Sequence, residues 1–158
     1  MNGIAQKCTS TNFDANGIAT DVYVNEYIYN IKGQMEKSAS TKNGINAGYE
    51  LYSYDANNDL VKYESYDKNG ILTFKSEYEY DLSVIERSGA FGQFQTGGTG
   101  FIFPKKATHL RKKATQTYNG SVYVYTKSYT FDADGYILTT TEKDNSNTIV
   151  DSETYTWQ

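Results

Sequence analysis

The feature that most constrains the fold of this sequence is a repeat with a period of 25 to 26 residues. Glycines and asparagines in the predicted turns fall on the same spacing as a set of aromatic residues. Such a period indicates one supersecondary unit that is copied along the chain and packs against its neighbours. The aromatic residues recur at this spacing, or at twice it, at Tyr29, Tyr54, Tyr80, Phe131 and Trp157.

Each repeat unit contains two short strands and two turns. In the last unit, turns at 132–135 and 144–147 flank a strand-like run at 136–143, and a second run follows at 148–157. Asp and Asn bond to nearby backbone and tolerate positive φ, and Gly has no Cβ that would clash there. Turns this short require neighbouring strands to run antiparallel. Strong hairpin signals, the Asn-Gly pairs, lie at 16–17, 43–44, 69–70 and 119–120.

Alternation along the predicted strands indicates a sheet with one packed face and one solvated face. Tyr78 and Tyr80, for example, alternate with Glu77 and Glu79. The 16 tyrosines supply much of the area for packing, and a single proline leaves the strands uninterrupted. A sheet of about ten strands must twist, curl or close on itself. The sequence therefore predicts a single all-β domain over 1–158: an antiparallel up-and-down meander forming a curled open sheet or partial barrel.

Three segments carry a family resemblance: "FDANGIATDVYVNEYIYN", "YDKNGILTFKSEYEYD" and "FDADGYILTTTEKD". Their aromatic-Asp-x-x-Gly pattern resembles the YD repeats of Rhs-type proteins and uncharacterised secreted families of Bacteroidetes. The resemblance covers most of the chain except about 82–112. It implies a β-meander and an exported or surface protein without known catalytic residues. The period is longer and the copies are fewer than in YD repeats, so a shell that encloses a toxin is not implied.

The repeat fails between residues 82 and 113, and we predict an irregular segment there. Its Gly-rich part carries four phenylalanines that would form either a ligand platform or a plug for the open end of the sheet. We expect no cofactor, because the stretch at 92–99 has phosphate-loop spacing but carries Gly98 where the lysine is required. The candidates for ligand binding in this part are Phe91, Phe94, Phe101 and Phe103.

A basic run follows directly, "KKATHLRKK" at 105–113, in a chain whose net charge is -4. It would bind an anionic surface, or its cations would prevent an exposed strand from pairing with another chain. One short patch is a small electrostatic footprint, so we expect no nucleic acid partner. The candidate residues are Lys105, Lys106, Arg111, Lys112 and Lys113.

The start of the chain, residues 1–12, is predicted to be a disordered start or the stub of a secretory signal. We therefore expect a secreted, periplasmic or cell-surface protein. Cys8 has no partner cysteine, so no internal disulfide forms. No stretch of 18 apolar residues is present, and a transmembrane helix is not expected.

Two groups of polar residues have spacings that occur in metal-binding or catalytic sites. Asp55, Asn57 and Asp59 have the spacing that opens a calcium loop, but the later ligand positions are absent, so we expect no metal. Glu77 and Glu79 on one strand face would suit glycoside hydrolysis, although solvated carboxylates on a strand are far commoner. The sequence favours a non-enzymatic binding or structural domain, with a glycan or anionic surface as partner. The alternatives are a glycoside hydrolase-like enzyme and a module that oligomerises through its sheet edges.

Overall fold

A computed structural model describes residues 6–85 and 108–156 of the chain. The described residues form one sheet of ten strands and contain no helix. The strands are β1 (Lys7–Phe13), β2 (Ala19–Tyr29), β3 (Met35–Lys42), β4 (Ile45–Tyr54), β5 (Leu60–Tyr66), β6 (Leu72–Ile85), β7 (His109–Tyr118), β8 (Ser121–Phe131), β9 (Ile137–Lys143) and β10 (Ile149–Thr154).

The strand order in the sheet is the strand order in the chain, from β1 to β10. Every neighbouring pair is antiparallel, as in an up-and-down meander. Within the described ranges, strands approach only their sequence neighbours, so β1 and β10 are not joined and the sheet stays open. The predicted all-β meander of about ten strands is therefore confirmed.

Six of the hairpin turns share one geometry, which explains the repeated aromatic-Asp dipeptides. At Asp67, the side-chain Oδ1 accepts the backbone N–H groups of Asn69 at 2.8 Å and Ile71 at 2.9 Å. The turn closes when Asp67 N donates to Ile71 O and Gly70 N donates to Asp67 O. Gly70 has φ of +78°, which a residue without Cβ adopts at little cost. The residues that open such turns are Asp14, Asn30, Asp55, Asp67, Asp132 and Asp144.

Two other turns are the two-residue Asn-Gly hairpins at 43–44 and 119–120. Their central residues have positive φ, 52° and 77° in the first turn and 49° and 78° in the second. Positive φ at both positions matches the right-handed twist of the flanking strands. The other two predicted Asn-Gly pairs, at 16–17 and 69–70, also lie in hairpins, but within the longer turns opened by Asp14 and Asp67.

Alternation and pairing divide the sheet into two faces. We call the face that carries Tyr52, Tyr63 and Tyr78 the aromatic face, and the face that carries Glu77 and Glu79 the charged face. Tyr52 is only 6% exposed, because neighbouring side chains on the aromatic face pack around it. The packed centre on this face contains Met35, Tyr52 and Leu60, with Tyr27, Tyr29, Tyr54, Tyr63 and Tyr78 against it.

Tyrosine hydroxyl groups fasten successive hairpins to each other at one end of the sheet. Tyr54 OH donates to Met35 O at 3.0 Å, and Tyr80 OH donates to Leu60 O at 2.7 Å. Tyr54 and Tyr80 are one repeat period apart, and each hydroxyl reaches the carbonyl of the residue that begins the preceding strand, β3 or β5. The repeat in the sequence is therefore also a repeat in hydrogen bonding.

Two predicted boundaries need correction. Residues 7–12, predicted as part of a disordered start or signal stub, instead belong to β1, because their backbone pairs with β2. The predicted interruption at 82–113 is also narrower than expected: β6 continues to Ile85 and β7 begins at His109. The meander thus resumes directly after the segment, with β6 and β7 paired.

Candidate functional site

The aromatic face carries a row of rings that crosses five neighbouring strands. The rings of Tyr52 and Tyr63 lie 5.3 Å apart between centroids, and those of Tyr63 and Phe74 lie 5.8 Å apart. Phe74 is paired directly with Tyr118 on β7, which extends the row. Tyr123 on β8 is paired with Gln116, whose side chain shares the face of Tyr118 by alternation.

The row is buried at its β4 end and exposed at its β7 and β8 end. Tyr52 on β4 is 6% exposed, whereas Tyr118 on β7 is 52% exposed and Tyr123 on β8 is 44% exposed. The same face therefore serves as packed core at its centre and as accessible surface toward β8. Aromatic rings with accessible faces are suited to stacking on a ligand.

A carboxylate lies inside the row and holds its buried members in place. Ser38 Oγ and Tyr52 OH donate to Glu50 Oε2 at 2.9 and 2.6 Å, and Tyr63 OH donates to Oε1 at 2.7 Å. Burial raises the pKa of the Tyr52 and Tyr63 hydroxyls, and the nearby Glu50 charge raises both further. Both tyrosines therefore remain protonated donors, and the cluster orders the buried end of the ring row.

A second polar cluster joins the β4–β5 turn to the start of β7. Asp59 is fully buried, and its Oδ1 accepts the backbone N–H groups of Thr108 at 2.6 Å and His109 at 3.0 Å. Its Oδ2 lies 2.6 Å from His109 Nδ1. These contacts hold the start of β7 against the β4–β5 turn.

The sequence did not predict that Asp59 bonds to the start of β7, and it suggested only a calcium ligand at this position. In the structure its oxygens point to Thr108 and His109, and Asp55 Oδ1 accepts its own turn's N–H groups from Asn57 and Asp59. Over 6–85 and 108–156, no group of three or more His, Cys, Asp and Glu side chains is placed to hold a metal ion. One feature of the sequence indicates a special role for Asp59. Among the six described turns of this type, it is the only acidic residue at the fifth position, where the other turns have Ile18, Gln34, Ile71, Tyr136 and Thr148.

The predicted basic candidates that the structure describes do not form one patch. Arg111 donates to Glu142 at 2.9 Å and lies 5.6 Å from the Tyr78 ring centre, on the aromatic face. Lys113 donates to Glu79 at 2.7 Å on the charged face, and Lys112 is exposed. The other candidates, Phe91, Phe94, Phe101, Phe103, Lys105 and Lys106, lie outside the described residues.

The two carboxylates considered for glycoside hydrolysis are both ion-paired on the charged face. Glu77 lies 2.8 Å from Lys75 Nζ, and Glu79 lies 2.7 Å from Lys113 Nζ. The hydrogen bond from Lys113 lowers the pKa of Glu79, which is the opposite of what a general acid requires. This pair of carboxylates therefore matches solvated salt bridges on an open sheet face.

A concavity of about 360 Å³ lies between the β2–β3 and β4–β5 turns. Its polar lining is already bonded within the protein: Asn30 Nδ2 donates to Gln34 at 2.8 Å, and Lys32 Nζ donates to Asn58 at 3.1 Å. These contacts connect the two turns laterally. The side chains at the concavity thus bond the two turns to each other, and the accessible rings of the row lie elsewhere, on β7 and β8.

Comparison with known proteins adds a fold relationship. No family model and no curated protein matches this chain. Among solved structures, the chain is similar to a porin-like protein from Bacteroides uniformis ATCC 8492, with 16% sequence identity and a TM-score of 0.55. The match covers 96% of this chain and 63% of that protein, so this chain spans less than two thirds of its length. At this identity the likeness shows a shared fold alone.

A search for membrane-spanning helices among residues 6–85 and 108–156 finds none with the necessary length and apolar character.

Proposed function

We propose that this chain is a non-enzymatic, exported domain that binds a glycan or another cell-surface ligand on its aromatic face. The observation that supports this proposal is the accessible end of the ring row, at Tyr118 and Tyr123. Both residues lie on neighbouring strands joined by a two-residue turn, so their spacing is held by the sheet. A ligand would meet a rigid aromatic platform rather than a mobile loop.

The chemistry of the platform favours a sugar over an apolar ligand. Tyrosine presents an apolar ring that stacks on a sugar face and a hydroxyl that hydrogen-bonds to the edge of the ligand. Gln116, paired with Tyr123, adds an amide that both donates and accepts hydrogen bonds beside the rings. Stacking surfaces flanked by such groups are typical of binding sites for polar, ring-shaped ligands.

Export and a role at the cell surface are supported by sequence rather than by geometry. The YD-like turns resemble those of secreted Bacteroidetes families, and the structurally similar porin-like protein comes from Bacteroides uniformis. Periplasm or outer surface is therefore the location we propose. A binding role without catalysis agrees with the ion pairing of Glu77 and Glu79.

A glycan array followed by titration tests the proposal. We expect binding to at least one polysaccharide class, and the double variant Tyr118→Ala/Tyr123→Ala should weaken that binding about tenfold or more, since each lost stacking contact contributes about 1 kcal/mol. Tyr136→Ala is the matched control, because Tyr136 is 42% exposed but lies in the β8–β9 turn at the opposite end of β8. A blank array, or equal losses in the control and the double variant, would contradict the proposal.

A further inference from the structure

Within residues 6–85 and 108–156, β1 pairs only with β2, and alternate residues of β1 direct their backbone groups away from that partner. Val22 N donates to Asn43 Oδ1, and Val22 O accepts from Asn43 N, so Val22 directs its backbone toward β3. Thr11, the β1 partner of Val22, must then direct its N–H and C=O away from β2. Alternation gives Thr9 and Lys7 the same outward direction, and Gln6 O accordingly points inward to Tyr27 N.

The last strand has the same property. Tyr155 N donates to Leu138 O, which shows that Tyr155 directs its backbone toward β9. By alternation, Ser152 and Thr154 direct their N–H and C=O groups outward. Rows of unpaired backbone groups of this kind are ready templates for another strand.

We propose that β1 of one copy of this chain pairs antiparallel with β10 of a second copy, with Thr9 opposite Ser152. Two such junctions related by a two-fold axis would join the sheets into one closed dimer. This inference is independent of the proposed ligand, because it concerns the sheet edges and not the ring row.

Strand parity makes this pairing geometrically consistent. The sheet has ten alternating strands, so β1 and β10 run in opposite directions and a second copy continues the meander without a break. A dimer with two β1–β10 junctions also pairs both edges of the described ten-stranded sheet, whereas any single junction leaves two of these edges exposed.

The faces of the two strands also agree in this register. Cys8 pairs with Asn25, which shares the face of Tyr27, and Glu153 pairs with Thr140, which in turn pairs with Tyr129. Cys8 and Glu153 therefore both lie on the aromatic face. With Thr9 opposite Ser152, Cys8 lies opposite Glu153 of the second copy.

Pairing of β10 with itself is disfavoured by charge. Its outward groups are those of Ser152 and Thr154, so a β10–β10 ladder that pairs Ser152 with itself places Asp151 opposite Glu153, and one that pairs Ser152 with Thr154 places Glu153 opposite itself. Like charges directly opposite each other destabilise a strand pair. Pairing of β1 with itself has no such clash, but it leaves both β10 edges unpaired, and experiment separates it from the proposed arrangement.

Proline substitutions at the two edges test the pairing by light scattering. Thr9→Pro and Ser152→Pro each remove an outward N–H, and either one should weaken the dimer about tenfold or more. Thr9→Ala and Ser152→Ala keep the N–H and should remain dimeric, and circular dichroism checks that every variant is folded. A monomeric wild type would overturn the proposal. Loss of the dimer in Thr9→Pro alone would overturn it in favour of β1–β1 pairing.

A disulfide trap tests the register without proline. Glu153→Cys places a thiol opposite Cys8 of the second copy in a non-hydrogen-bonded pair, where Cβ atoms lie about 4.5–5.5 Å apart. Mild oxidation should yield a covalent dimer on a non-reducing gel, and the Cys8→Ser/Glu153→Cys double variant should remain monomeric on that gel. A covalent dimer from the double variant would overturn the register, as would only monomer from Glu153→Cys. A ladder of larger species would overturn the closed dimer.

Discussion

At the scale of single residues, Asp59 connects parts of the chain that are 50 residues apart in sequence. Its carboxylate accepts two backbone N–H groups and contacts the His109 ring while fully buried. A buried carboxylate is stable only when its oxygens are satisfied in this way. This contact positions the start of β7 and therefore the register of β7 against β6.

The first prediction concerns this carboxylate. Asp59→Ala should lower the free energy of unfolding by about 3 kcal/mol, because the Thr108 and His109 donors lose a charged acceptor. Urea unfolding followed by circular dichroism measures the change. Asp55→Asn is the control: Asn30 opens an identical turn, so an asparagine at 55 should change stability by less than about 0.5 kcal/mol. Equal losses in the two variants would contradict this role for Asp59.

At the scale of elements, the hairpin turn opened by an Asp or Asn is the unit that the sequence repeats. Asp55 in "YDANND" and Asp67 in "YDKNG" resemble metal ligands in the sequence. In the structure, each of these two side chains accepts backbone N–H groups of its own turn. The turns could be predicted because their geometry depends only on the side chains of a few adjacent residues.

The second prediction tests this unit at Asp132, whose Oδ1 accepts Asp134 N at 3.0 Å and Tyr136 N at 2.8 Å. Asp132→Ala should destabilise the protein by about 1 kcal/mol, since both N–H groups lose their acceptor. Asp132→Asn retains an acceptor oxygen and should be nearly neutral. Thermal unfolding of the pair provides the measurement, and an asparagine variant as unstable as the alanine variant would argue against the turn's role.

The third prediction concerns the tyrosine that fastens one hairpin to the next. Burial, followed by the Glu36 charge and Tyr29, raises the pKa of Tyr54 to about 12 from 10.0. A raised pKa in the folded state means that its stabilising contribution is complete below pH 10 and is lost as the pH rises to about 12. Stability should therefore fall across that interval as the unfolded state ionises first.

Unfolding of the Tyr54→Phe variant in urea between pH 9 and 12 checks this expectation. The variant should lose about 1 kcal/mol at neutral pH, from the bond to Met35 O, and its stability should fall less steeply in alkali. Ile137→Ala is the control, because it removes buried area on β9, outside the cluster that packs against Tyr54, and should keep the wild-type slope. A Tyr54→Phe curve parallel to wild type would show that the Tyr54 hydroxyl does not titrate as described.

At the scale of the whole molecule, the repeat and the alternation predicted the fold class, the strand number and the antiparallel order. Contacts between distant parts of the chain were beyond prediction: nothing local in the sequence indicates that Asp59 meets His109, or that Arg111 turns to Glu142 while Lys113 turns to Glu79. Those directions depend on bulges between β6 and β7, which shift the side-chain alternation.

The central claim is that one face of the sheet is core at its centre and accessible surface toward β8. Hydroxyl-radical footprinting with mass spectrometry tests it most directly, with each tyrosine's oxidation rate in the native protein divided by its rate in urea. Tyr118 and Tyr123 should retain most of their unfolded rates, whereas Tyr52 and Tyr80, at 6% and 7% exposure, should be strongly protected. Equal protection of all four tyrosines would contradict the account.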